Sequence, residues 1–429
     1  MKTTIKELKN FLFLWSTQAL SALGSSMTSF ALGLWLYEKT GSALQTALLN
    51  ICTFAPYVLV SIFAGALSDR WNKKKVMLVC DVLAACASVT ILILLKKDLL
   101  VPWHIYLLNI LSGLMNTVQQ PAGDVAMTLI TPKKHFQRTS GMRSFSNSLV
   151  TILHPVIATA FYAFGGMDAV IFFDLSTFLV AFLVLLFGIK IPNIEKSEEK
   201  ESISVFRAAG EGISYLKKTP LIFTLIAYMA GINFIASMFE AVIPAYVLPK
   251  TGGNEQILGV VTSMAGIGTL LGSLFVTASG KPKNRLAVIY LSMLFSMSIE
   301  YFIFAFGKEP WLWYLGQFVG WFPVPFMGAN LDVILRTTIP MEMQGRVYSC
   351  RNTLQYFMIP IGYFLGGFFV DNIFEPMMAL QAENSLMSTL FGFGKGSGAA
   401  IVALICGILG TLWCGLFGKL LHRYEFKDE

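Results

Sequence analysis

Six carboxylates stand within long apolar stretches of this chain: Asp81, Asp124, Asp174, Glu240, Glu300 and Asp332. His154, beside Pro155, lies in the middle of another. Ionisable groups in hydrocarbon are expensive, so they pair, reach an interface, or mark ion and substrate pathways. A carboxyl at mid-membrane can take up a proton on one side and release it on the other, or pair with a cationic ligand. An imidazole titrates near neutral pH and can relay protons. Other chemistries lack their residues. There is no H-E-x-x-H and no G-x-S-x-G. The stretch nearest to a Walker A loop, Gly392-Phe393-Gly394-Lys395-Gly396-Ser397, has no Ser or Thr directly after its Lys, so it cannot cradle a nucleotide in that way. The six cysteines (Cys52, Cys80, Cys86, Cys350, Cys406, Cys414) form no CxxC pair and read as small apolar fillers, not as a zinc site or disulfide framework. No enzyme activity, metal or organic cofactor is expected.

The elements that position these residues follow from composition. Of 429 residues, 55% are apolar and only 13% charged, against roughly 25% charged in a soluble chain. With a mean hydropathy of +0.65, an ordinary cytosolic protein and a disordered one are both excluded. The remaining class is a polytopic membrane protein. Twelve stretches are long enough to cross as helices: 11–37, 44–67, 76–95, 103–130, 141–165, 168–189, 220–248, 256–279, 286–306, 311–335, 346–370 and 399–421. The alternating strands of about 10 residues that build a membrane β-barrel are absent. Lys2, Lys6 and Lys9 precede the first stretch, which has no cleavage site and reads as an uncleaved span. With the N-terminus cytoplasmic, the outer loops hold only Lys39, Lys96, Lys97, Lys250, Lys308 and Lys395 of the 32 basic residues. The positive-inside rule then places both termini in the cytoplasm and the chain in the cell (inner) membrane. The net charge of +7 therefore sets topology and meets anionic lipid; a nucleic-acid partner is not expected.

Two connections are long. Residues 190–219 begin with the acids Glu195, Glu198, Glu199 and Glu201, after which Val205, Phe206, Ala209, Ile213 and Leu216 recur at helical spacing. This pattern predicts an amphipathic helix at the inner interface. Residues 371–398 predict a short surface helix before the last span. Splitting at the first connection leaves six spans on each side, and an offset of 208 superimposes Asp332-Val333 on Asp124-Val125, Pro340 on Pro132, Arg346 on Arg138, Arg351 on Arg143, Lys281 on Lys73, Lys283 on Lys75 and Lys217 on Lys9. The expected architecture is all-α: two parallel-repeat six-helix bundles, residues 1–190 and 220–429, joined by a cytoplasmic linker at 191–219.

The loop between spans 2 and 3 reads Gly65-Ala66-Leu67-Ser68-Asp69-Arg70-Trp71-Asn72-Lys73-Lys74-Lys75. It resembles the G-x-L-x-D-R-x-G-R/K-R/K motif of the major facilitator superfamily. Asn72 stands where Gly is usual, and Asn tolerates the positive φ such a turn can need. Trp15-Ser16-Thr17-Gln18, Tyr37-Glu38-Lys39-Thr40-Gly41-Ser42-Ala43, Pro323-Val324-Pro325-Phe326 and Gln344-Gly345-Arg346-Val347-Tyr348-Ser349 are similar to the macrolide-efflux branch of its drug exporters. In span 5, where antiporter branches carry a Gly-rich Gly-Pro motif, the chain reads Thr151-Ile152-Leu153-His154-Pro155-Val156-Ile157-Ala158: the Pro is present and the glycines are not.

The resemblance implies roles. Asp69 is expected to accept from the N-terminal turn of span 11 or to pair with Arg346. Asp124 is expected near the motif loop with Arg70 or Lys73 as partner. Its mate Asp332 has Arg336 at i+4, an ion-pair spacing. These residues form the expected conformational latch. Spans 3, 6 and 9 are peripheral in the resembled fold, so Asp81, Asp174 and Glu300 are expected to do little, the last two reaching headgroups. Span 7 lines the central cavity there, which makes Glu240 the expected proton-coupling residue, with His154 second. Gln18, Asn50, Tyr57, Gln119, Gln120, Asn233 and Asn330 are the expected cavity residues. The implied function is export of amphipathic drugs or metabolites by a monomer working by alternating access, driven by the proton gradient. Lipid flipping and siderophore or peptide export are alternatives on the same fold.

Overall fold

A computed structural model of the protein describes residues 7–70, 72–192 and 205–424. Every regular element among them is helical. That is the physical requirement of hydrocarbon, where a backbone N–H or C=O must find its partner inside its own segment. Spans 1 to 4 are Lys9–Thr40, Ala43–Arg70, Lys73–Lys96 and Pro102–Leu129. Spans 5 and 6 run together as Phe136–Leu183, broken where Gly165 (φ −143°, ψ 18°) and Gly166 (φ 64°, ψ −164°) leave the helical region. Unbroken, those 48 residues would rise about 72 Å, more than twice a hydrocarbon core of about 30 Å.

The second half repeats the pattern with more interruptions. Span 7 is Pro220–Glu240 continued by Ile243–Lys250, span 8 is Glu255–Ala278 and span 9 is Arg285–Phe306. Span 10 is Pro310–Trp321 continued by Val324–Thr338, span 11 is Met341–Tyr356 continued by Met358–Phe369, and span 12 is Ser397–Leu421. Pro323 lies at the break in span 10, where its missing N–H ends the hydrogen-bond ladder.

The chain divides into two compact units. One holds Met1–Trp35 and Ala55–Val205; the other holds Leu36–Phe54 and Phe206–Glu429. The end of span 1 and the first half of span 2 thus belong with the C-terminal half of the sequence. In the first unit Leu14, Met77, Ala122 and Leu185 bring spans 1, 3, 4 and 6 to one core. In the second, the Tyr246 hydroxyl and the Trp313 indole both donate to the carbonyl of Gly307, at 2.6 and 2.8 Å, and stack edge to face. The glycine step Gly362–Gly366 packs span 11 onto span 7. A Cβ on Gly362 would stand 2.3 Å from the Phe234 carbonyl oxygen, and one on Gly366 2.3 Å from that of Met238.

The amphipathic helix is present as Val205–Lys218. It does more than rest at an interface. Leu216 is fully buried, and Tyr215 donates to the Thr338 carbonyl at 3.0 Å. The 371–398 connection contains two short helices, Glu375–Ala379 and Leu386–Phe391. Asn72 also differs from expectation. Its φ of −65° is not left-handed; its side chain caps span 3 by accepting from the Lys75 N–H.

Because span 7 backbone occupies the place of a side chain at Gly362, Gly362→Ala should destabilise the protein by about 1–3 kcal/mol through overpacking. A thermal melt in detergent should show a lower midpoint than the parent; an unchanged midpoint would contradict the packing described.

Candidate functional site

Charged side chains near the motif loop are held in local pairs. Asp124 pairs with Arg143, where the resemblance pointed to Arg70 or Lys73. The side chains of Asp69 and Arg70 lie outside the described residues; Lys73 is buried. Lys74 donates to the carbonyls of Leu186 and Ile189, at 3.0 and 2.7 Å. A cation there meets the negative end of span 6. In the other unit Asp332 pairs with Arg336 at 3.7 Å, both largely exposed. Arg346 pairs with Glu211 of the amphipathic helix at 2.6 Å. Gly212 lets that helix approach, since a Cβ there would stand 2.8 Å from the Arg346 carbonyl oxygen. At the chain's start, Lys134 and then His135 hydrogen-bond Glu7 and hold its carboxyl below the usual carboxylate range.

The acids inside spans fall into three environments. Asp81 accepts from Gln119, which draws that amide from the expected cavity set onto span 3. Asp174 is 5% exposed and accepts from the hydroxyls of Ser25, Thr28 and Ser88 at 3.0–3.1 Å, tying spans 1, 3 and 6. Glu300 is 3% exposed. Its Oε1 has no hydrogen-bond partner among the described residues, and its Oε2 fills the space that a Cβ on Gly320 would take. Asp174 and Glu300 therefore sit inside their units instead of reaching headgroups.

Glu240 ends the first helix of span 7, is half-buried, and accepts from the Tyr363 hydroxyl at 2.7 Å. The Tyr363 ring packs with Ala47 and Ala241 and stacks on Phe54 at 6.4 Å. A titratable carboxyl is thus one hydrogen bond from a ring that touches span 2. His154 is half-buried; its Nδ1 lies 2.9 Å from the Val150 carbonyl and its ring meets Phe30 edge-on.

The neutral polar residues divide. Asn330 is 6% exposed, accepts from Arg285 at 2.9 Å and donates to the Phe326 carbonyl. Asn233 donates to the Gln355 carbonyl at 3.1 Å. These two serve helix packing. Gln18 and Tyr57 are half-buried, whereas Asn50 and Gln120 are exposed. All six cysteines are free thiols, and among the described residues no group of three His, Cys, Asp or Glu is placed to hold a metal.

The second unit holds an open cleft of about 680 Å³, lined among others by Gln45, Asp371, Glu375, Met378, Phe393 and Lys395. Asp371 and Glu375 were missed by sequence reasoning, as were Tyr363, Arg143 and Glu211. An acid just beyond an apolar run looks like a solvated loop residue, and only the fold shows what it faces.

Ten helices among the described residues are long and apolar enough to cross a membrane, the build of a polytopic membrane protein. A family model described as Major Facilitator Superfamily matches residues 14–363, and the chain belongs to that family. It is 24% identical over 366 residues, 85% of this chain and 90% of the other, to macrolide efflux protein A of Streptococcus pyogenes. It is 23% identical over 357 residues, 81% and 86% of the two chains, to multidrug efflux pump Tap of Mycolicibacterium fortuitum. Among solved structures, a bacterial homologue of the human lysosomal transporter Spinster, inward-facing and unoccupied, superimposes with a TM-score of 0.71. It shares 14% identity and 99% of each chain is covered.

The Glu211–Arg346 pair is about one-third exposed on both sides, so its contribution is that of a screened surface pair. A double-mutant cycle with Glu211→Ala and Arg346→Ala should give a coupling of about 0.3–1 kcal/mol that shrinks in high salt. A coupling of zero at low salt would mean that the helix is held by packing alone.

Proposed function

We propose that this chain exports amphipathic small molecules, macrolide-like drugs or metabolites, from the cytoplasm across the cell (inner) membrane, by alternating access and in exchange for protons. The observation that carries the reading is the similarity to two efflux proteins along more than four-fifths of the chain. Both termini are cytoplasmic in this reading, because 26 of the 32 basic residues then fall on or beside the inner side. Glu240 is the proton carrier. In its ionised form it accepts the Tyr363 hydroxyl and can attract a cationic substrate. A proton on it removes that attraction, so proton and substrate compete for one carboxyl. His154 is less suited, since one ring nitrogen is engaged by the backbone.

Cells with and without the protein should differ in sensitivity to a panel of macrolides and other amphipathic toxins, and a protonophore should abolish the difference. Glu240→Gln keeps shape and one acceptor oxygen while removing titration. It should lose concentrative export while retaining substrate binding. Protonophore-sensitive export by Glu240→Gln at the parental rate would overturn the assignment, and an unchanged sensitivity to every compound would overturn the substrate class.

Orientation has its own test. Lys217 and Lys395 are both exposed and lie on opposite sides in this reading. As single cysteines in a background lacking the native six, Lys217→Cys should be protected from an impermeant maleimide in intact cells and Lys395→Cys should label. The reverse pattern would invert the topology.

A further inference from the structure

Asp371 follows span 11 in a π-helical turn, Val370–Phe374. Its Oδ1 accepts the Ala43 N–H at 3.0 Å, and its Oδ2 accepts the Leu44 N–H at 2.9 Å and the Ser42 hydroxyl at 2.5 Å. Those are the first groups of span 2, which begins at Ala43. The opening N–H groups of a helix have no partner within it and carry the positive end of its dipole. A carboxylate supplied by a distant part of the chain fills that need here with charge-assisted bonds. Ser42 also accepts from the Gln45 N–H at 3.0 Å, so the first turn is capped from within and from outside.

The contact continues along one face of span 11. One turn before Asp371, Gly367 admits the span 2 backbone: a Cβ there would stand 2.5 Å from the Leu44 Cα. One turn earlier again, Tyr363 packs with Ala47. One turn beyond Asp371, Glu375 accepts the N–H groups of Gly396 and Ala399 at 2.9 and 3.3 Å and so caps span 12. Residues 363, 367, 371 and 375 thus form a single stripe. Its last carboxylate caps a helix from the same half of the sequence, whereas Asp371 caps one from the other half.

We propose that Asp371 is a releasable cap. It holds residues 36–54 to the C-terminal unit in the conformation described here, and the bonds to residues 42–44 break each time span 2 leaves span 11 during transport. The release step rests on the alternating-access reading above. The capped end is the one the charge distribution places outside. The charge is needed for this contact and not for folding of the bundle.

Ala47 is buried against Tyr363 in this conformation, so a cysteine there reports detachment. The test is the rate of maleimide labelling of Ala47→Cys in purified protein lacking the native cysteines, with added Asp371→Asn, Ser42→Ala or Glu375→Gln. Asp371→Asn should raise the rate about five- to tenfold, because a bond to a charged group is lost from a buried contact. Ser42→Ala, which removes one donor from the opposite side of the contact, should raise it less. Glu375→Gln should leave it near the parental value. An unchanged rate in Asp371→Asn, or an equal rise in Glu375→Gln, would overturn the proposal. Should Asp371→Asn fail to purify, an unchanged rate in Ser42→Ala overturns it in the same way. No substrate is used, so a failed export assay with raised labelling would sink the transport reading alone.

Discussion

A helix in hydrocarbon satisfies its own backbone except at its ends, and a charged side chain near those ends can supply the missing partner. Lys74 closes the carbonyl end of span 6, Asp371 the N–H end of span 2, and Glu375 that of span 12. Spans 3, 8 and 9 start instead from their own asparagines, Asn72, Asn254 and Asn284. Local caps travel with their helix. Of the three borrowed caps, that of Asp371 joins the two halves of the sequence, and it is the one proposed to be withdrawn when span 2 moves.

The remaining buried acids fit the same constraint in different ways. Asp174 gathers three hydroxyls, enough to replace much of a carboxylate's hydration, and so fastens three spans of the first unit. Glu240 has a single phenol, and that phenol's ring is part of the surface on which span 2 rests. On the proposed reading, a change in protonation at Glu240 alters the bond that positions Tyr363, and through its ring the contact that Asp371 closes further along the same stripe. The carrier's partner Tyr363 and the closing Asp371 would then lie two turns apart on one face of span 11, with no long pathway between them.

The class of fold was legible in the sequence because hydrocarbon imposes it. Span lengths, the motif loop and the 208-residue repeat needed no tertiary information. Partnerships were less legible. Asp332 and Arg336 lie four residues apart on one helix and were readable. Asp124 and Arg143 lie on consecutive spans, and the motif's own basic residues were the nearer candidates by resemblance. Arg346 meets Glu211, 135 positions away, and Asp371 meets Ser42 across 329; no local pattern announces either. Burial of Asp174 and Glu300 was also hidden, because the facing of a uniformly apolar helix leaves little periodic trace.

The proposed proton coupling is tested most directly by proton release from purified protein in weakly buffered detergent solution when a cationic macrolide is added. If one carboxyl serves proton and substrate in turn, binding must displace on the order of one proton per bound macrolide. The parent should acidify the solution on saturation, and Glu240→Gln should bind without doing so. Equal release from both proteins, or none from a parent that binds, would contradict the exchange at Glu240.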